Sequence, residues 1–171
     1  LFIALNIVPT VILAAIIYLN SYWLGDDLSK LKNKDTLENI FHSFCLSFMG
    51  FNIITSTTTL LFHNQTVQQA DIRTPIMYIY AVLFSPVFEE LLCRKILLIK
   101  INKYFNWWIS AFISSGIFSI LHLNLSLFTS YLFIGLVWSY YYRKSNYNIF
   151  VPILSHFLFN YIMILIQSIK G

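Results

Sequence analysis

The sequence predicts an all-α, polytopic transmembrane helix bundle of about six spans, with a polar cavity inside the membrane. Three observations predict it. The chain is 58% hydrophobic and only 11% charged over 171 residues, with a mean hydropathy of +0.70, whereas soluble domains carry about 25% charged residues. The apolar residues gather in long segments and show none of the alternating ten-residue pattern of a membrane barrel. A segment inside lipid must also satisfy its own backbone hydrogen bonds, which makes each of these segments a helix.

The segments run over 1–24, 40–62, 76–99, 107–126, 128–142 and 149–168. All but the fifth approach the roughly 20 residues that cross the hydrocarbon core. The first lacks a basic n-region and a small-residue cleavage site, so it reads as a membrane helix and not as a signal peptide. The chain opens on Leu1 rather than Met, and is therefore expected to be a fragment or a trimmed protein. Gly25 and Asp26 are expected to end the first helix, and Asp35-Thr36 to cap the second. Between them "GDDLSKLKNKDTLEN" (25–39) is the longest polar stretch; "HNQTVQQADIRTP" (63–75) is the second loop. This divides the chain into 1–70, two spans and a soluble loop, and 71–171, a core of four spans.

Basic residues sort by loop. Lys30, Lys32, Lys34, Lys95, Lys100, Lys103, Arg143 and Lys144 follow spans one, three and five, whereas the loops after spans two and four hold only Arg73. The positive-inside rule places the first group in the cytoplasm and both ends of the chain outside. Trp23, Trp107 and Trp108 are expected at the interface. The net charge of +4 is explained by these loops, and no nucleic-acid motif accompanies it. Cys45 and Cys93 lie in apolar segments and read as buried free thiols. Heavy use of Asn, Ile, Lys, Phe and Tyr is associated with AT-rich bacterial genomes, which makes a bacterial plasma membrane the expected location.

Against this background the stretch "VFEELLCRK" (87–95) is anomalous. A charge near the bilayer centre costs about 2.5–3.5 kcal/mol on insertion scales, and Glu89 and Glu90 are adjacent. Glu90 and Arg94 are four apart, on one helical face, and form a natural ion pair. Glu89 points about 100° away and is expected to have no partner on its own helix. Three further intramembrane polar groups accompany it. His122 follows Phe118 by one turn, and His156 and Asn160 share one face of the last span. Helices that bury polar groups turn them towards one another, so these residues are expected to converge on one cavity. His42 and His63, at the two ends of span two, read as interfacial, and "TSTTT" (55–59) as helix-packing or cavity-lining hydroxyls. A depth mismatch remains, because His122 lies further along its span than Glu89 and His156 do along theirs. The fourth span is therefore expected to start later, to tilt or to break.

The chemistry of this set is hydrolytic. A carboxylate in an apolar cavity is a usable general base at neutral pH. A histidine shares the water, and a second histidine with an amide supplies donors for an oxyanion. Ser119, Ser126 and Ser155 lie near the histidines but lack the glycines of a nucleophile elbow. Glu89, His122 and His156 are also the donor types of a zinc site with one open position, although HExxH spacing is absent. The residues leave metal-bound and carboxylate-activated water both open.

The motifs "EELLCR" (89–94), "FSILH" (118–122) and "HFLFN" (156–160), in this order on separate spans, resemble those of the CAAX protease and bacteriocin-processing (CPBP, or Abi) family of intramembrane endopeptidases. That family includes prenyl-protein endopeptidases, lysostaphin-resistance-A-like proteins and bacteriocin immunity proteins. The resemblance implies that Glu89 activates the water with help from His122. It implies that His156 and Asn160 form the oxyanion hole, and that Glu90 and Arg94 support the site, with Phe118 orienting His122. The favoured reading requires no cofactor; a divalent metal held by Glu89, His122 and His156 is the alternative. The expected partners are the lipid bilayer and a membrane-associated peptide or protein substrate: a leader peptide, a pheromone or a bacteriocin. No motif fixes an oligomeric state. Two other functions stand beside proteolysis. One is a non-enzymatic bacteriocin immunity or partner-binding protein; the other is a proton- or cation-coupled transporter, for which discontinuous helices or repeats are not visible.

Overall fold

The computed structural model describes positions 12, 15 and 17 and residues 21–62 and 78–170. Most of the expected first span, the side chain of Trp23, His63, Arg73 and the 63–75 loop lie outside the described residues. Every regular element among the described residues is helical. We label them α1 (Ser21–Ser29), α2 (Lys34–Phe62), α3 (from Tyr80–Phe84 through Ser85–Glu90 and Leu91–Leu98 to Ile99–Ile101), α4 (Trp107–Leu121), α5 (Phe128–Lys144) and α6 (Phe150–Lys170). Within the described residues, α2 over Lys34–Leu61 and α6 over Phe150–Ile169 are long and apolar enough to cross a membrane, and Trp107–Leu121 is a shorter apolar helix.

The long axes alternate in direction. α2 runs parallel to α6, because Ser43 meets Ser155 near their starts and Phe51 meets Phe159 further along. α5 returns between them, with Thr55 on α2 bonded to Ser130 at 2.8 Å, whereas Thr57 and Thr58 bond to carbonyls of their own helix. α3 opposes α6, since Glu90 faces His156 while Ala81, earlier on α3, faces Asn160, later on α6. The core seals around Phe51, Phe118, Tyr131, Trp138 and Phe159. α4 and α5 touch so closely at Gly135 that an added Cβ would lie 2.9 Å from Ser115 Cβ.

Several local expectations are corrected. α1 continues through Gly25 and Asp26 to Ser29, because Ser29 Oγ and Lys30 Nζ close the last turn on Asp26. The cap of α2 is Asn33, whose Oδ1 accepts from Asp35 N–H at 3.1 Å, and not Asp35-Thr36. The polar stretch 25–39 is thus largely helical. Trp107 is buried, with Arg143 4.8 Å from its ring, whereas the neighbouring Trp108 is exposed. The fourth span starts at Trp107 as drawn but stops at Leu121, short of 126. Leu123 then adopts φ 50°, and Asn124 caps the single turn Leu125–Leu127 through its side chain. Cys93 is buried and Cys45 half-buried, both as free thiols.

The irregularity of α3 has a local cause. Pro86 has no N–H to donate, and the preceding turn widens to π geometry over Tyr80–Phe84. Ser85 N–H reaches back to Tyr80 O, so the carbonyl of Ala81 receives neither Ser85 nor Pro86. A buried carbonyl needs a donor, and Asn160 Nδ2 supplies it at 2.9 Å from α6. The break thus ties α3 to the helix that carries His156.

Candidate active site

Glu89 and Glu90 leave α3 in different directions and meet different partners. Glu90 is fully buried. Its Oε2 lies 3.1 Å from Arg94 Nε, which is equally buried, and its Oε1 lies 2.9 Å from His156 Nδ1. Arg94 extends further, donating from Nη2 to Gly135 O at 3.1 Å and lying 4.9 Å from the centre of the Phe118 ring. The ion pair read from the spacing is therefore one part of a larger buried array.

Glu89 corrects one expectation. It has a partner on its own helix: Ser85, one turn earlier, donates its hydroxyl to Oε1. A neutral donor fixes the carboxylate without neutralising it. Oε2 is left buried with no hydrogen-bond partner. It stands 3.9 Å from His122 Nε2 and 3.9 Å from His156 Nε2.

Both imidazoles are oriented from behind. His122 Nδ1 is 2.9 Å from Phe118 O; a carbonyl only accepts, so Nδ1 carries the proton and Nε2 turns its lone pair to the cavity in the neutral ring. The ring stacks on Tyr131 at 3.9 Å and meets the Phe118 ring edge-on at 4.6 Å, so Phe118 holds His122 through both backbone and side chain. His156 gives Nδ1 to Glu90 and stacks on Trp138 at 4.1 Å. Trp138 is itself fixed, donating to Ser155 Oγ at 3.1 Å, which bonds Ser43 Oγ at 3.1 Å.

Glu89, His122, His156 and Asn160 line one cavity of about 210 Å³. Glu90, Arg94 and Phe118 stand behind its wall. His42 is exposed. Ser119 and Ser155 are committed elsewhere, Ser119 to Phe128 O at 2.6 Å, and neither lines the cavity. Among the described residues no three His, Cys, Asp or Glu side chains are arranged to hold a metal ion. The separations of 3.9 Å around Glu89 Oε2 are longer than direct hydrogen bonds.

Over residues 71–162 the sequence matches the family described as type II CAAX prenyl endopeptidase, Rce1-like. That stretch is over half of the chain and contains every residue of the three motifs. The chain belongs to this Rce1-like family. A similar protein is the "Putative membrane peptidase YdiL" of Bacillus subtilis (strain 168), 30% identical over 93 residues; the match covers 54% of this chain and 38% of the relative. The chain thus spans less than half of that relative's length. No solved structure matches it. Membership in the Rce1-like family makes this a membrane protein of a peptidase family, and its described elements are all helical. The geometry adds Ser85, Tyr131 and Trp138 to the site, which sequence reasoning did not single out. Ser85 was readable, being one helical turn before Glu89. Tyr131 and Trp138 are seven apart and share a helical face, but are hidden among eleven tyrosines and sixteen phenylalanines.

Proposed function

We propose that the protein is a multi-pass intramembrane endopeptidase of about six spans that hydrolyses a peptide bond of a membrane-associated peptide or protein with water activated by Glu89. The observation that carries this reading is the position of Glu89 Oε2, buried, without a hydrogen-bond partner and facing two imidazole Nε2 atoms. Water in that gap meets three acceptors when both rings are neutral, but a water has only two protons. The occupied site therefore holds one further proton, shared among Glu89, His122 and His156.

The extra proton defines the roles. On His156 it creates an Nε2–H donor, with the positive ring supported by Glu90 behind it. Glu89 then takes a proton from the water while His122 Nε2 accepts the other hydrogen bond. The hydroxide oxygen forms a bond to the carbonyl carbon. His156 Nε2–H and the Asn160 amide proton not used on Ala81 receive the oxyanion. Collapse breaks the C–N bond, and Glu89 returns its proton to the leaving amine. No step is routed through a metal, because no donor triad arranged for one is present among the described residues.

The substrates that fit this reading are leader peptides, peptide pheromones and bacteriocin precursors. The test is cleavage of such a peptide by purified protein in liposomes. Glu89→Gln is expected to lower kcat by about 10²–10⁴-fold, the range of a general base. Undiminished cleavage by that variant would overturn the mechanism. Abolition by a chelator, with restoration by zinc, would move the water onto a metal.

A further inference from the structure

Serine and threonine hydroxyls inside a helix ordinarily turn back to a carbonyl three or four residues earlier. Thr57, Thr58, Ser110 and Ser139 do so, on the carbonyls of Ile53, Ile54, Asn106 and Gly135. Ser85 does the opposite. Its hydroxyl turns forward by four residues and donates to Glu89 Oε1. The acceptor behind it, Ala81 O, is held by Asn160 Nδ2 at 2.9 Å. The widened turn before Pro86 opened that carbonyl to α6, since Ser85 N–H goes to Tyr80 O. Ala81, Ser85 and Glu89 thus follow one another at intervals of four residues on α3, and all three line the cavity together with Asn160.

Two hydrogen bonds therefore act in series: Ala81 O receives Asn160, and Glu89 Oε1 receives Ser85. The Ser85 hydroxyl has these same two oxygens to choose between. A carbonyl has two lone pairs, but one already satisfied gains less from a second donor than a carboxylate gains from a charge-assisted bond. Without the Asn160 amide, Ala81 O would lose its donor from α6. Ser85, four residues on, would then be drawn back to it by the geometry its fellow hydroxyls adopt.

We propose that Ser85 is a positioning residue for the reaction, and that Asn160 keeps it turned to its task. By occupying Oε1, Ser85 leaves Oε2 as the oxygen that faces His122 and His156 and takes the proton from water. The same oxygen hands that proton to the leaving amine. Oε1 accepts from Ser85 throughout, so Ser85 gains and loses no proton. Asn160 then has a second task besides receiving the oxyanion: it holds the general base in place through Ala81 and Ser85. This rests on the peptidase reading above and specifies which atom of Glu89 acts and what fixes it.

Two measurements on the full chain in liposomes test it. Ser85→Ala removes the hydroxyl and introduces the strongest helix former, whereas Ser85→Thr keeps the hydroxyl. Ser85→Ala is expected to lower kcat about tenfold or more with KM nearly unchanged, and Ser85→Thr to recover most of that loss. An unchanged kcat in Ser85→Ala, or a Ser85→Thr protein as slow as Ser85→Ala, overturns the proposal. The carboxyl band of Glu89 is read separately by infrared spectroscopy, as the difference from Glu89→Gln. It is expected to shift in Ser85→Ala and in Asn160→Ala, and to stay in place in Ser85→Thr. In Ser85→Ala/Asn160→Ala it is expected where Ser85→Ala alone puts it, because the two act through one bond. A band that stays in place in Ser85→Ala or in Asn160→Ala overturns the proposal. The expected band shifts in a protein that cleaves no peptide would support the relay and remove the peptidase reading, so the two fail separately.

Discussion

Replacing Arg94 by Met tests how the buried array holds the site. Arg94 and Glu90 are both fully buried and 3.1 Å apart. Removing one partner of a buried pair leaves an uncompensated charge and costs about 3–5 kcal/mol, a large share of the roughly 5–15 kcal/mol that stabilises a typical fold. Loss of the guanidinium from the face of Phe118, 4.9 Å away, adds about 0.5–2 kcal/mol. The expected total is therefore about 3.5–7 kcal/mol for Arg94→Met. The double variant Glu90→Gln/Arg94→Met removes both charges and leaves an amide oxygen to accept from His156 Nδ1. It is expected to regain about 2–3 kcal/mol relative to the single variant, as coupled neighbours do. The assay is reversible unfolding in mixed detergent micelles, followed by tryptophan fluorescence. An Arg94→Met cost below about 1 kcal/mol, or additivity of the two substitutions, would refute the argument that the pair acts as a buried unit.

Two further predictions concern the packing behind the histidines. Trp138→Phe keeps an aromatic face against His156 but loses the bond to Ser155; kcat is expected to fall with KM nearly unchanged, at a stability loss of about 1–2 kcal/mol, and Trp138→Ala should lose far more of both. Gly135→Ala drives a methyl to 2.9 Å from Ser115 Cβ and 3.2 Å from its backbone Cα, so α4 and α5 must separate, at about 1–3 kcal/mol, read as an earlier unfolding midpoint.

The parts of the site legible in the sequence were those that helical spacing encodes. Glu90 and Arg94, Phe118 and His122, and His156 and Asn160 are each four apart, so a helix alone brings each pair to one face. The early end of α4 was not legible, because the leucines alternating with His122, Asn124 and Ser126 leave "HLNLSL" apolar enough to continue a span; the stop depends on Leu123 turning left-handed and Asn124 capping the next turn. The widened turn in α3 was hidden for a related reason. Pro86 announces a missing donor, but which carbonyl is released, and that Asn160 would claim it, depends on α6 lying alongside. The partners of Nδ1 in the two histidines are equally tertiary. One is a local carbonyl and the other a carboxylate 66 residues away, and their tautomers follow from contacts that a one-dimensional pattern does not contain.

Asp27 gives the chain a boundary problem. The family match begins at residue 71, yet Asp27 Oδ2 accepts from Ile149 N–H at 3.2 Å and its backbone carbonyl accepts from Asn148 Nδ2 at 3.1 Å, at the threshold of the helix that carries His156 and Asn160. Its carboxylate also pairs with Lys95 at 3.5 Å, on the helix that carries Glu89. A protein cut at the family boundary would keep every motif residue and lose the clamp that fastens the roots of both helices. In this chain the family-matched module and the mechanical unit are therefore not the same object, and residues outside the matched stretch help to keep the reacting groups in register.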